Sequence, residues 1–296
     1  MGAALAWGYR YLKVEPSHFR VEYQINPFMD TADQPDPVRA RAQWDSLVAA
    51  IVRLGGTVDV IAQRADAPDM VYAMNLGLGV ETEDGRPHVV MSHMRYRQRR
   101  METASAQEWF LANGFTTSYV GSDGVGAHFE AGDAFAFGDA LLVGYGPRTE
   151  ELGLKHLAED LGIRVRGFRI THPGMYHLDL AFCPLTSTRA IVCPAAFDEA
   201  SAAALLALVP EPLVITEEEA LSTFCANSIV IGSTILMPDC PVRVRAQLEE
   251  WGFTVEIVDV SEFHKGGGSI RCMTNPVDLR IGRDLAVVPG GDVVLP

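Results

Sequence analysis

Apolar residues recur along the chain in two alternating rhythms. Five stretches carry them on one face of a helix, each followed by a stop and then by an extended apolar run. They are Trp44–Gly56 then Thr57–Ile61, Glu108–Gly114 then Phe115–Val120, Leu154–Gly162 then Ile163–Arg166, Ala202–Pro210 then Leu213–Ile215, and Val242–Gly252 then Phe253–Val258. Glycine stops four of the five helices, since it takes the left-handed position after a last turn without a Cβ clash. Pro210 stops the other, because it cannot continue a helix. β-Branched and aromatic residues crowd the runs after each stop, as they do in strands. Paired apolar runs with short glycine-containing joints then follow, as in Ala134–Gly144 and Ser228–Pro238, and these predict β-hairpins.

The repeating unit is therefore helix, strand, hairpin, about 50 residues long. Five units fill the chain, with a leading strand expected near Phe19–Ile25. Such a unit cannot bury its faces alone, whereas five closing on themselves would. The expected fold class is α/β: a five-bladed α/β propeller of pseudo-fivefold symmetry, short sheets inside and helices outside. Residues 1–296 would form one catalytic domain. A doubly wound open sheet is the alternative, weakened because no GxGxxG turn follows the first strand.

Polar residues interrupt this pattern where a buried strand should begin. In order they are Asn75, Glu130 with Asp133, His177 with Asp179, Asn227, and Cys272, at successive spacings of 55, 47, 50 and 45 residues. They hold the same place in consecutive repeats, and in a closed ring such places converge near the axis. Taken singly, Cys272 reads as a small buried hydrophobe, His177 as a satisfied core histidine and Glu130 as a turn acid. Asn227 reads as an amide holding a loop. Taken in phase, Cys272 reads as a nucleophile beside a histidine. It follows Gly266-Gly-Gly-Ser-Ile-Arg, a run that permits close backbone approach. His177 and Asp179, two apart on an expected strand, would share one face, which suits an acid–base group with an orienting carboxylate.

Composition narrows the classes further. With 48% hydrophobic residues, 13 Phe, 8 Tyr and 4 Trp, the chain has too many buried anchors to be disordered. A net charge of −14 is a poor match for a phosphate backbone, so no nucleic-acid partner is expected, while such a field attracts a small cation. The basic cluster Arg95, Arg97, Arg99 and Arg100 reads as a solvated helix start, with substrate or structural ion pairing, and last nucleic-acid contact, as the alternatives. Five cysteines, an odd number with no CxxC spacing, argue against a disulfide framework or a structural zinc site and suit a reducing cytoplasm. The run Met1–Gly8 is too short for a signal sequence, and no stretch of 18 apolar residues occurs, so no membrane partner is expected. A homo-oligomer is left open.

At these polar positions the chain resembles the guanidino-group-modifying branch of the pentein superfamily, which holds arginine deiminases, dimethylarginine dimethylaminohydrolases, arginine dihydrolases and amidinotransferases. The resemblance runs from about Phe19 to Thr274. It rests on Ile25-Asn-Pro-Phe-Met, Pro68-Asp-Met-Val-Tyr, Gln98-Arg-Arg-Met-Glu, Glu130-Ala-Gly-Asp, Gly146-Pro-Arg-Thr, Tyr176-His-Leu-Asp and Gly267-Gly-Ser-Ile-Arg-Cys. It implies Cys272 as nucleophile, His177 as general acid and base, Glu130 as the carboxylate gripping the guanidinium, and Asp179 as the acid beside the histidine. It implies Asp69 and Arg148 as substrate contacts, Arg148 for an α-carboxylate, and places Asn26 and Asp133 with them. Asn75 stands where many hydrolases of the branch carry aspartate. Arginine dihydrolase-like members also carry asparagine there, and in them a second hydrolytic round can release ornithine. His93 stands where arginine is usual and gives up a bidentate fork, so a derivative of arginine is weighed beside arginine itself.

The chemistry is reasonable on its own terms. Carboxylates pair bidentately with a planar guanidinium, a bound cation favours a thiolate, and thiolate attack gives a covalent intermediate that water hydrolyses. No metal and no organic cofactor is expected. Capture by an amine instead of water would make an amidinotransferase, the alternative reading. A ribosome-associating pentein and a catalytically silent member are the remaining ones.

Overall fold

The computed structural model describes residues 2–122 and 125–296; Met1, which opens the N-terminal run considered above, lies outside them. Five small sheets are built alike, each from an antiparallel pair of strands, an intervening helix and a third strand parallel to the second. In sequence order, Gly77–Glu81 pairs antiparallel with Pro87–Met91, helix Arg100–Ala112 follows, and Thr116–Tyr119 returns parallel to the second strand. Ala134–Phe137 and Ala140–Tyr145 are joined in the same way through helix Glu151–Leu161 to Arg164–Arg169. Phe182–Pro184, Arg189–Val192, helix Glu199–Leu208 and Glu211–Val214 make the next sheet. Ile229–Ile231, Thr234–Met237, helix Val242–Glu250 and Thr254–Ile257 make the one after.

The remaining sheet joins the two ends of the chain. Strand Arg10–Val14 runs parallel to Thr57–Ile61 across helix Pro37–Arg53, and its antiparallel partner is Asn275–Pro276. No sheet among the described residues has more than four strands, so a doubly wound open sheet is overturned.

Local chemistry explains these elements. Asp36 caps the first helix by accepting from the backbone N–H of Val38 and Arg39, and Pro37 occupies its first turn. Trp44, Leu47 and Ile51 form its buried stripe. Gly55, Gly114, Gly162 and Gly252 all take positive φ after their helices, as the stop signals predict.

The leading strand is a correction. Residues 19–25 are not extended into a ladder, because the side chain of Gln34 satisfies Val21 instead. Its carbonyl accepts from the Val21 N–H at 3.0 Å and its amide donates to the Val21 carbonyl at 2.8 Å. The first strand is Arg10–Val14, in which Tyr11 to Val14 are all buried. A strand covered on both faces shows no apolar–polar alternation, so the pattern passes over it.

Each polar residue singled out by repeat phase lies in a turn just ahead of the first strand of a sheet. Asn75 sits in the 3-10 turn Ala73–Leu76, Asp133 in Ala131–Asp133 and Asp179 in Leu178–Leu180. Asn227 and Cys272 sit in turns before Ile229 and Asn275. The expected strand through His177 and Asp179 is thus also corrected: Leu178 belongs to a 3-10 turn, which sends the two side chains to different partners.

Candidate active site

The turn residues meet in a buried cluster. Cys272 is 2% exposed, His177 1% and Glu130 0%. The sulfur of Cys272 donates to Asp179 Oδ2 at 3.3 Å and accepts from Asn227 Nδ2 at 3.1 Å. His177 Nε2 lies 2.7 Å from Glu130 Oε2. The two halves join around Gly132. A Cβ there would stand 2.8 Å from Asn75 Oδ1, 3.3 Å from Asp179 Oδ2 and 3.3 Å from His177 Nδ1, so a glycine is what lets those three side chains approach. Asn75 Oδ1 also accepts from the Gly132 N–H at 2.9 Å.

Glu130 is held on both oxygens. Oε1 accepts from the Arg95 backbone N–H at 2.9 Å, and Oε2 accepts from Arg148 Nη1 at 3.1 Å as well as facing His177. Burial alone would raise this carboxyl, but the Arg148 guanidinium and then His177 outweigh it and hold it well below the usual carboxylate range. Arg148 is itself buried, donates to the Ile25 carbonyl at 3.0 Å, and is sandwiched between the Tyr96 and Tyr176 rings at 4.8 and 4.5 Å. Its guanidinium is thus engaged with Glu130 and a carbonyl in this arrangement.

The thiol is in a different electrostatic setting. Burial, then the nearby Asp179, push Cys272 well above the ordinary thiol value, opposed by the Ser269 backbone and Asn227. Asp179 is raised too, chiefly by burial, and its Oδ1 has no hydrogen-bond partner. The S–H group thus faces the Asp179 carboxyl as a hydrogen-bond donor in a buried setting.

The glycine-rich run ahead of the cysteine closes over it. Tyr176 donates to the Gly267 carbonyl and Tyr72 to the Phe263 carbonyl, both at 2.6 Å. A Cβ on Gly268 would run into the Tyr72 ring and stand 3.1 Å from Cys272 Cβ. Asn26 fastens the same loop from the other side, donating to the Gly266 carbonyl at 3.1 Å while accepting from the Phe28 N–H at 3.0 Å.

The other expected contacts are placed as follows. Asp69 is buried, with Arg99 and Tyr23 beside it, and its Oδ1 is unpartnered; burial raises it. Asp133 Oδ2 accepts from Thr149 Oγ1 at 2.6 Å and its Oδ1 from the Leu178 N–H at 2.9 Å, so one oxygen braces the histidine turn and the other ties it to Thr149. His93 faces the Ala127 carbonyl at 3.1 Å, packs against His128 with the rings tilted and their centres 4.5 Å apart, and lines a separate cavity of about 720 Å³ with Ser92, Arg100 and His156. The basic cluster divides. Arg99 is buried in a bidentate pair with Glu102 at 2.9 and 2.8 Å, so structural pairing replaces the solvated reading for it, while Arg95 is exposed and pairs with Glu150 at the surface. Sequence reasoning missed the Tyr96–Arg148–Tyr176 stack and read Asn227 as a loop amide, although repeat phase had put it among the cluster.

Three comparisons place this chain among known proteins. A family model described as N,N dimethylarginine dimethylhydrolase, eukaryotic, matches residues 15–279. The chain belongs to the dimethylarginine dimethylaminohydrolase family, whose members are guanidino-group hydrolases. It is 33% identical over 268 residues to the N(G),N(G)-dimethylarginine dimethylaminohydrolase of Mycobacterium tuberculosis, covering 90% of this chain and 84% of that one. It is also 33% identical to the bifunctional arginine dihydrolase/ornithine cyclodeaminase ArgZ of Synechocystis, covering 90% of this chain but 37% of that longer protein. The substrate-bound N-terminal domain of ArgZ, an arginine dihydrolase, superposes with a TM-score of 0.85 at 32% identity, over 92% of this chain and 99% of that domain. The pentein resemblance read from the motifs is borne out. No helix among the described residues is long and apolar enough to cross a membrane.

Proposed function

We propose that the chain cleaves a guanidino C–N bond in arginine or an arginine derivative through a covalent thiouronium on Cys272. The observation that carries this is the joining of two buried units around Gly132: a thiol against Asp179 and an imidazole against Glu130. A planar cation brought between these acids would stabilise the thiolate that burial disfavours. Cys272 passes its S–H proton to Asp179, its sulfur attacks the central carbon, the imidazolium of His177 gives a proton to the departing amine, and a thiouronium remains. His177 then takes a proton from water, which hydrolyses the C–S bond and frees the thiol. Asp69, with its unpartnered Oδ1, suits the substrate's N–H donors. Glu130 already meets Arg148, His177 and the Arg95 N–H, so a guanidinium reaching it shares the carboxylate with Arg148 or displaces it.

The likeness of the five sheets, and the closure of the first by Asn275–Pro276, support a single domain formed as a five-bladed α/β ring. The five unpaired thiols suit a reducing cytoplasm.

The test is incubation with arginine and N-methylated arginines, with and without an acceptor amine, followed by mass spectrometry of trapped Cys272. Hydrolysis gives a ureido product or ammonia, whereas amidino transfer gives a new guanidine. Full turnover by Cys272→Ala would overturn the thiol mechanism.

A further inference from the structure

Asn227 contacts the candidate nucleophile at two atoms. Its Oδ1 accepts from the Cys272 backbone N–H at 3.1 Å, and its Nδ2 donates to Cys272 Sγ at 3.1 Å. The same Nδ2 donates to the Asp179 carbonyl at 3.0 Å. Its backbone is fixed as well, the N–H donating to the Phe224 carbonyl at 2.8 Å and the carbonyl accepting from the Arg271 N–H at 3.2 Å. Phe224, the one non-glycine residue of positive φ among the described residues (φ 52°), ends helix Glu217–Thr223 and starts the turn that carries Asn227. Asn227 is fully buried, so all these bonds form away from water. An amide that only closed a loop would have no need of the sulfur.

We propose that Asn227 is a positioning residue for the thiol: it fixes the sulfur and keeps it acidic enough to ionise when a cationic substrate binds. The physical reason is the balance at one atom. Asp179 Oδ2 draws the S–H proton and disfavours a thiolate beside it, and Asn227 Nδ2 is the side-chain N–H donor to the sulfur. The other titratable groups around the thiol are Tyr72, Tyr176 and Arg271, with His177 across Asp179. Tyr72 and Tyr176 spend their hydroxyl protons on backbone carbonyls, and Arg271 Nη1 donates to the Thr274 carbonyl. Beside the Ser269 backbone, the side-chain donor to the sulfur is thus the amide. The inference rests on Cys272 being the nucleophile, but its read-out does not require turnover.

The experiment is the pH profile of Cys272 alkylation by iodoacetamide, followed by peptide mass spectrometry. Asn227→Leu keeps the volume and removes the amide. The midpoint of its profile should rise by at least about one pH unit, equivalent to a tenfold slower reaction at pH 8. Turnover should fall at least tenfold in kcat, with KM within about threefold. An unchanged or lowered midpoint in a folded variant overturns the proposal, because loosening a merely structural amide would expose the thiol without making it less acidic. Should Asn227→Leu not fold, the wild-type chain decides. With asparagine labelled by 15N, one side-chain amide signal should titrate with the Cys272 midpoint and stop doing so in Cys272→Ala. No amide moving with the thiol overturns the proposal equally. Full activity of Cys272→Ala would instead sink the thiol mechanism and leave the alkylation result intact.

Discussion

His177 is paired with Glu130, 47 residues earlier in the chain, and not with Asp179, two residues later. The 3-10 turn at Leu178–Leu180 separates the two neighbours, so that the imidazole meets one carboxylate and the thiol the other. The imidazole and the thiol thus each have their own acid. An ionised Glu130 at 2.7 Å stabilises the imidazolium that forms when His177 takes a proton. Glu130→Gln keeps the shape and one acceptor but removes the charge. It should lower kcat by about 10² or more, within the range for acid–base groups, while circular dichroism shows a native fold. Turnover within twofold of wild type would exclude Glu130 from proton transfer.

Arg148 sets the charge state of that acid. Its guanidinium overcomes the effect of burial and keeps Glu130 ionised far into the acid range. Arg148→Met keeps a long side chain between Tyr96 and Tyr176 without the charge. Glu130 then titrates at higher pH, and the acid limb of the kcat/KM profile moves upward by at least about one unit. Losing one member of a buried pair should also destabilise the fold by on the order of 3 kcal/mol. A pH profile whose acid limb stays in place would show that the limb belongs to another group.

Much of this was legible in the sequence because repetition amplifies weak signals. No single asparagine or cysteine announces a site, but residues recurring about 50 apart, each ahead of an apolar pair, share a structural address. The helices and their stops were readable from period and glycine. The first strand was not, since Lys13 lies fully buried in it, donating to the Met273 carbonyl at 3.3 Å, and breaks the apolar pattern. Burial pushes that ammonium down to about 7. Pairing within the cluster was illegible for a different reason. His177 and Asp179 are two residues apart, and only the sense of a three-residue turn decides which acid each group meets.

Gly132 tests the convergence directly. Its φ is not in the left-handed region, so alanine suits its backbone, and the cost of substitution falls on the neighbours. The new methyl would sit 2.8 Å from Asn75 Oδ1 and 3.3 Å from both Asp179 Oδ2 and His177 Nδ1, closer than such contacts normally come. Gly132→Ala should therefore fold yet lose at least tenfold in kcat, because misplacement of this size is enough to disrupt reacting groups. Wild-type turnover would mean that these side chains do not act from the positions they hold here.

Asp133 links the site to the stability of the whole chain. Its two oxygens brace Thr149 and the Leu178 N–H, and burial raises its carboxyl from the ordinary aspartate range to about 7. A carboxyl whose folded pKa is raised contributes stability that is fully present below about pH 4, where both states are protonated. That contribution is lost as pH rises toward 7, because the unfolded chain ionises freely while the folded one resists. Glu102, also raised to about 7 by burial, titrates in the same window, so wild type alone does not isolate Asp133. Asp133→Asn does, since it keeps an acceptor for Leu178 and removes the titration. At roughly 1.4 kcal/mol per pKa unit, with each kcal/mol moving Tm by about 2–4 °C in a chain of this size, wild type should lose at least about 4 °C more than the variant between pH 4 and pH 7. Melting curves by circular dichroism that run parallel for the two proteins would mean that Asp133 is already ionised in the folded state at acid pH, and that the histidine turn is braced by a carboxylate instead of a carboxylic acid.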